Sequence, residues 1–190
     1  ARDTAGLTVT ARRVLDETRA LADVSVDAVR VPDGALLSYR EGVEAASIGD
    51  RALVAVACDS LGVAAAMLDA TVDYVSMRQQ FGRPIGSFQA IKHKCADMLL
   101  EVESAKSAAY YGLWCAAEQN DELPSVASLA KAYCSEAYFH ATAENIQIHG
   151  GIGFTWEHPA HLYFKRAKSS ELLFGDPTYH RELLAQRIGI

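Results

Sequence analysis

The chain has 190 residues, 50% of them hydrophobic and 22% charged, which is enough to bury one main core and predicts one main domain. Its formal net charge is −6, and no run of five or six like charges occurs, which argues against a nucleic-acid partner. The four cysteines form neither a CxxC pair nor a short disulfide frame, and no uncharged apolar stretch of about 18 residues occurs. We therefore expect reduced thiols, a cytoplasmic location and no membrane insertion.

The hydrophobic periodicity changes once along the chain. Residues 6–12 and 21–31 alternate apolar with polar side chains, which predicts two or three β-strands. Pro32-Asp33-Gly34 ends this pattern with turn residues, and the spacing becomes helical from about Glu44. Because the chain opens on a strand-like pattern without an initiator Met, we also expect that a further segment precedes it.

Five helices are predicted after the strands. Apolar residues recur at intervals of three and four, Ser87 is a plausible N-cap, and Pro124 and Gly150 are placed to begin and end a helix. Long antiparallel helices joined by short loops pack naturally as an up-down bundle. The predicted helices span residues 48–77, 87–117, 124–148, 159–172 and 179–187.

Two polar loop segments need an explanation beyond packing. The first, Arg78 to Ile85, offers a cation, two amides and an aromatic residue before a glycine turn. Arg78 either stabilises the end of a helix or forms an anion site, since a guanidinium can bind a phosphate through two hydrogen bonds.

The second segment follows the third helix and reads Gln147-Ile148-His149-Gly150-Gly151-Ile152-Gly153-Phe154. Its glycines allow a ligand to approach the backbone closely, although the segment matches neither GxGxxG nor a P-loop. The histidines, including His149, His158 and His180, lack the spacing of a metal site, so we expect no bound metal.

Taken together, the two segments resemble the C-terminal part of the acyl-CoA dehydrogenase family. The resemblance rests on Arg-x-x-Phe-Gly at 78–82 with Phe88-Gln89-Ala90, and on Gln147-x-x-Gly-Gly with Gly153-Phe154 before an Arg-containing helix. Val31-Pro32 with Leu36-Leu37 is similar to the family's exit from its middle β-domain. The implied fold is mainly α: residues 1–38 are a remnant of the β-domain, and 39–190 form the C-terminal up-down helical bundle.

The resemblance also implies a cofactor and a reaction. Family members are tetramers that use FAD to desaturate an acyl-CoA thioester: a glutamate removes the α-proton while a hydride leaves the β-carbon. The ADP part of the FAD is cradled by a neighbouring subunit, and two phosphates suit a bidentate cation and glycine N–H groups. The cradle residues implied for this chain are Arg78, Gln80, Phe81, Gln89, Gln147, Gly150 and Gly151.

The family's base does not have a counterpart here. In most members it is a glutamate before a glycine, seven residues before an arginine; in this chain Phe174 precedes Gly175, and Arg181 follows at that distance. In other members it lies 26 residues before the motif arginine, where this chain has Ala52. Asp176 could serve if the turn were shifted by two residues, although Pro177 would then restrict the backbone.

We therefore interpret the chain as the base-lacking subunit of a heteromeric acyl-CoA dehydrogenase, with a catalytic partner in an α2β2 tetramer. By resemblance, such split enzymes are those of actinobacteria that act on steroid side-chain CoA thioesters, and an electron-transfer flavoprotein is the expected acceptor. Two alternatives stay open at this point. One is a self-sufficient homotetrameric dehydrogenase that uses Asp176, and the other is a structural helical bundle that binds no flavin.

Overall fold

A computed structural model describes residues 4–35 and 45–190. Strands β1 (Leu7–Arg12) and β2 (Leu21–Val26) pair antiparallel, with Leu7 opposite Val26 and Arg12 opposite Leu21. Both regions predicted to contain strands do so, but the second, 21–31, is strand only over Leu21–Val26, and Ala28 beyond it has a φ of 50°. The predicted domain boundary at 38/39, Leu36-Leu37 and Glu44 lie outside the described residues.

An ion pair and a hydrogen bond join the segment between strands β1 and β2 to the helices. Most side chains of the two strands are exposed. The segment that joins the strands reaches the bundle, where Arg19 and Arg166 each place a guanidinium nitrogen 3.3 Å from the Asp59 carboxylate. Arg166 also donates to the Thr18 hydroxyl at 3.1 Å. One carboxylate thus ties the hairpin segment to two helices.

The five predicted helices are confirmed, with ends that differ by a few residues. Ser87 is not the N-cap of the second of them: it lies in the 3-10 turn Ile85–Ser87, and Phe88 takes the cap position without a side-chain hydrogen bond. The helices are α1 (Ala45–Met77), α2 (Gln89–Glu118), α3 (Leu123–His149), α4 (Ala160–Leu172) and α5 (Pro177–Ile188).

Helix α3 lies at the centre of the bundle, with α1, α2, α4 and α5 packed around it. Its buried stripe is rich in small side chains, which let neighbouring helices approach closely. The main core combines this stripe with apolar residues of α1 and α2, so the mainly α, up-down bundle predicted from the sequence is confirmed. The stripe includes Ala127, Ala130, Cys134, Ala137 and Ala141.

By length and composition alone, the Ala46–Met77 stretch of α1 could cross a membrane, with a mean hydropathy of 1.7. The same stretch packs against α2 and α3 and supplies Leu53, Val54, Ala57 and Leu61 to the core. A helix that packs against two neighbours in a bundle has the apolar composition that α1 shows.

Candidate functional site

A short hairpin follows α1 and shapes one wall of the candidate site. Strands β3 (Gln79–Gln80) and β4 (Arg83–Pro84) pair around Phe81 and Gly82, which have φ values of 54° and 77°. Two successive positive φ angles are typical of the tight turns that join antiparallel strands. Sequence reasoning identified this segment as a loop and missed the hairpin. The signal for the hairpin was the Phe81-Gly82 pair at the tight turn between Gln79-Gln80 and Arg83-Pro84.

The second wall is the C-terminal end of α3. Gly150 has a φ of 65° and starts a 3-10 turn over Gly150–Phe154. Two contacts bring this end beside the end of α1: the Tyr74 and His149 rings stack with centroids 4.0 Å apart, and the buried Asn145 amide donates to the Thr71 hydroxyl at 2.8 Å. The two polar segments recognised in the sequence therefore meet in space.

Two adjoining cavities lie between these walls. The larger, of about 580 Å³, includes Tyr74, Ile85, His149 and His158 in its lining, and the smaller, of about 280 Å³, includes Phe88, Ile91 and Lys94. Of the implied cradle residues, the larger is lined by Arg78, Gln80, Gly150 and Gly151, and the smaller by Gln80, Phe81 and Gln147. Gln89, the exposed first residue of α2, lines neither of them.

The charge and polarity of the larger cavity suit an anion. Within residues 4–35 and 45–190, the Arg78 guanidinium has no ion pair or hydrogen bond to another side chain, whereas the nearby Arg83 lies over the Phe88 ring at 4.0 Å. The His149 Nδ1 donates to the Asn145 carbonyl at 2.7 Å, which fixes its tautomer and leaves Nε2 available. Burial, with His149 and His161 nearby, lowers the pKa of His158.

The glycines of the α3 end differ in how much space surrounds them. A Cβ on Gly150 or Gly151 would meet no atom within 4 Å, so a ligand could approach the backbone there. A Cβ on Gly153 would lie 2.8 Å from the Ile146 carbonyl oxygen, so this glycine is required by packing. Free space at the first two positions fits the close backbone contacts that a phosphate needs.

These two kinds of glycine give a matched pair of variants. Gly153→Ala should lower the free energy of unfolding by about 1–3 kcal/mol, because the added methyl group overlaps the α3 backbone. Gly151→Ala should change it by less than about 0.5 kcal/mol, since it meets open space. Urea unfolding of the full-length protein measures both values. Equal losses of stability would contradict the open space around Gly151 that a ligand would need.

The loop between α4 and α5 holds the position that the resemblance assigns to the base. Phe174 has a φ of 62° and is 57% exposed, and Gly175 has a φ of 107°. The Asp176 carboxylate accepts the Tyr179 N–H at 2.8 Å and caps α5. Arg181, at the expected distance after Phe174, forms an ion pair with Glu136.

Three further residues that bear on the base are also placed. Ala52 lies half-buried in α1. Two other carboxylates that lie close in sequence to Ala52 and Phe174 are engaged: Asp50 is buried and pairs with Arg187 at 3.0 Å, and Glu171 is partly buried and pairs with Lys168 at 2.8 Å. The Asp50–Arg187 pair joins α1 to α5 and depends on helix packing, whereas Glu171 and Lys168 lie three residues apart on α4.

The comparisons with known proteins agree with this architecture. Residues 50–189 match the family model described as acyl-CoA dehydrogenase, C-terminal domain. The chain therefore belongs to the acyl-CoA dehydrogenase family. Oxidoreductase chemistry of the flavin-dependent type is the activity of this family.

Individual relatives give finer comparisons. Acyl-CoA dehydrogenase IpdE2 of Mycolicibacterium smegmatis is 44% identical over 130 residues, covering 68% of this chain and 40% of that protein. The ChsE4–ChsE5 complex from Mycobacterium tuberculosis aligns with a TM-score of 0.88 at 27% identity, covering 100% of this chain and 50% of the other. The steroid ACAD Tcur3481–Tcur3483 aligns with a TM-score of 0.85 at 27% identity, covering 99% of this chain and 50% of the other. The chain thus spans at most half the length of these relatives.

Proposed function

We propose that the chain belongs to a base-lacking subunit of a heteromeric, FAD-dependent acyl-CoA dehydrogenase. In this proposal it gives its ADP cradle to a catalytic partner subunit within an α2β2 tetramer. The single observation that carries the proposal is the combination of two features. Arg78, which has no side-chain partner in the described part of the chain, lines a cavity with Gly150 and Gly151, and residue 174 is a phenylalanine. The first feature supports cofactor binding and the second argues against independent catalysis.

The residues of the two cavities fit the ADP part of FAD. Arg78 can bind the pyrophosphate with charge-assisted hydrogen bonds, and Gly150 and Gly151 leave room for phosphate oxygens against the backbone. Phe81, 89% exposed beside Gln147, offers a flat apolar surface next to amide groups. When bound, FAD supplies the acceptor for the hydride that leaves the β-carbon of the acyl group.

The side chains at the two family base positions cannot accept a proton. Phe174 and Ala52 carry no ionisable group, and a general base contributes about 10²–10⁴-fold to a rate. Asp176, the alternative base of a self-sufficient enzyme, has one oxygen engaged by the first turn of α5. A carboxylate that caps a helix in this way is held at the helix N-terminus and is not free to approach a substrate.

The partner and the substrate are proposed from the likeness to related proteins. A heteromeric arrangement and a steroid-type CoA thioester are supported by likeness to the ChsE4–ChsE5 complex and to the Tcur3481–Tcur3483 steroid ACAD. An electron-transfer flavoprotein is proposed as the acceptor by family analogy. Four free cysteines support the proposed cytoplasmic location, since disulfides are rare in that compartment.

The proposal is tested by acyl-CoA-dependent bleaching of bound flavin. The full-length protein is purified alone and after co-expression with a homologue that carries the family glutamate. We expect bleaching only in the mixture. Bleaching by the protein alone would indicate a self-sufficient enzyme with Asp176 or another base, and a colourless mixture would indicate a structural bundle that holds no flavin.

A further inference from the structure

The backbone between α4 and α5 adopts an unusual conformation at residue 174. Positive φ is disfavoured for a residue with a Cβ, and Phe174 is followed directly by a second positive φ at Gly175. A Cβ on Gly175 would lie 2.5 Å from the Tyr179 ring, so glycine is required there. Such a conformation persists when surrounding groups hold it, which raises the question of what holds this one.

Lys131 provides the first restraint. It lies on α3 and is 0% exposed, and its Nζ donates to three acceptors: the Ser135 hydroxyl at 3.1 Å, the Glu171 carbonyl at 2.9 Å and the Gly175 carbonyl at 3.0 Å. All three donors of the ammonium group are therefore used. Burial lowers the pKa of Lys131 to about 8. The side chain thus links α3 to the end of α4 and to the loop.

His180 provides the second restraint. It lies on α5, is 1% exposed, and its Nε2 lies 3.0 Å from the Phe174 carbonyl oxygen. A carbonyl can only accept a hydrogen bond, so Nε2 carries the proton and donates. Burial, together with the charges of Lys131 and Arg187, lowers the pKa of His180, so the ring is neutral at pH 7.

We propose that Lys131 and His180 are positioning residues that hold the backbone at residue 174 in its left-handed conformation. Each binds one of two successive carbonyls, and they come from different helices on either side of the loop. The direction of the residue-174 side chain is then determined by α3 and α5 and does not depend on which side chain is present.

This inference rests on the proposed function, in which residue 174 occupies the position that the catalytic base has in the family. The loop keeps a rigid geometry although it presents a phenylalanine. The sequence contained one signal for the Lys131 restraint: Lys131 lies four residues from Ala127 and four from Ser135, so it falls on the buried stripe of α3.

The test is amide hydrogen exchange at Gly175, whose N–H donates to the Leu172 carbonyl at 3.2 Å. In the full-length protein without added ligand, Lys131→Met should accelerate exchange at this amide at least about tenfold while α1 and α2 stay protected. The matched control is Lys168→Met, which removes a half-exposed lysine bonded to the Glu171 side chain instead of its carbonyl. We expect the control to change exchange less than about twofold.

A second pair of variants tests whether a side-chain hydrogen bond holds the loop, without removal of the buried lysine. His180→Gln keeps an N–H donor that can reach the Phe174 carbonyl, and His180→Leu does not. The leucine variant should expose the Gly175 amide and the glutamine variant should restore its protection. A merely space-filling histidine would not show this rescue.

Two results would overturn the inference. One is unchanged exchange at Gly175 in both Lys131→Met and His180→Leu. The other is acceleration spread equally over all helices, which would assign these residues to general stability. Because the measurement uses neither flavin nor acyl-CoA, either failure is distinct from failure of the bleaching experiment that tests the proposed function.

Discussion

Phe174→Glu is expected to raise the rate of acyl-CoA-dependent flavin bleaching in the full-length protein by about 10²–10⁴-fold per bound flavin, the usual contribution of a general base. The substitution would add a carboxylate at the position that the family resemblance gives to the base. The loop needs no rearrangement, because its carbonyls are held by Lys131 and His180 whichever side chain is present. Stopped-flow absorbance of protein reconstituted with FAD measures this rate.

The matched control is Phe174→Gln, which has nearly the same shape as the glutamate variant but cannot accept the α-proton. Normalising each rate to the flavin actually bound separates loss of cofactor from loss of the base. Equal rates for the two variants would show that residue 174 does not face the reacting carbon. A fast rate in the unmodified protein would mean that a base exists elsewhere.

Arg78→Ala is expected to weaken FAD binding about ten- to hundredfold in the assembled complex. The variant removes a charge-assisted hydrogen bond to the pyrophosphate, which contributes about 1.5–3 kcal/mol. Since Arg78 bonds no other side chain among residues 4–35 and 45–190, the fold should lose little stability. Equilibrium dialysis of FAD gives the dissociation constant.

The control for Arg78 lies in the same hairpin. Arg83→Ala also removes one arginine, but the Arg83 guanidinium lies over the Phe88 ring, and the side chain lines neither cavity of the candidate cradle. Its FAD dissociation constant should therefore change less than about threefold. Similar losses in both variants would point to general electrostatic attraction. An unchanged constant in Arg78→Ala would leave Arg78 only a role at the C-terminus of α1.

The sequence predicted most of the helical architecture because that information is local. Periodic apolar residues give α1 to α5, and Pro124 and Gly150 mark the limits of α3. The β3–β4 hairpin was missed because each of its strands has two residues, which is too short for an alternating pattern. The alternating pattern over 21–31 overstated the extent of β-structure, because the alternation continues after the strand has ended at Val26.

In the candidate site, too, local motifs could be predicted and contacts between distant residues could not. The residues of the two loop segments were found from their motifs, and the structure brings most of them to one pair of cavities. The environment of Asp50 could not be predicted, since its partner Arg187 lies at the other end of the chain. Charged residues are seldom buried, so there was little reason in the sequence to expect that Lys131 would be. Its burial arises because α4 and α5 pack against α3.

The buried Asn145–Thr71 hydrogen bond between α1 and α3 has a thermodynamic consequence. It joins α1 to α3 where Arg78 and Gly150 must be held at a fixed separation. A ligand that bridges both helix ends binds only while the two ends are aligned. Free ligand at a hundred times its dissociation constant would therefore stabilise the aligned state by about 2.7 kcal/mol. Linkage works in both directions: loosening the contact between α1 and α3 would lower cofactor affinity before it unfolded the bundle.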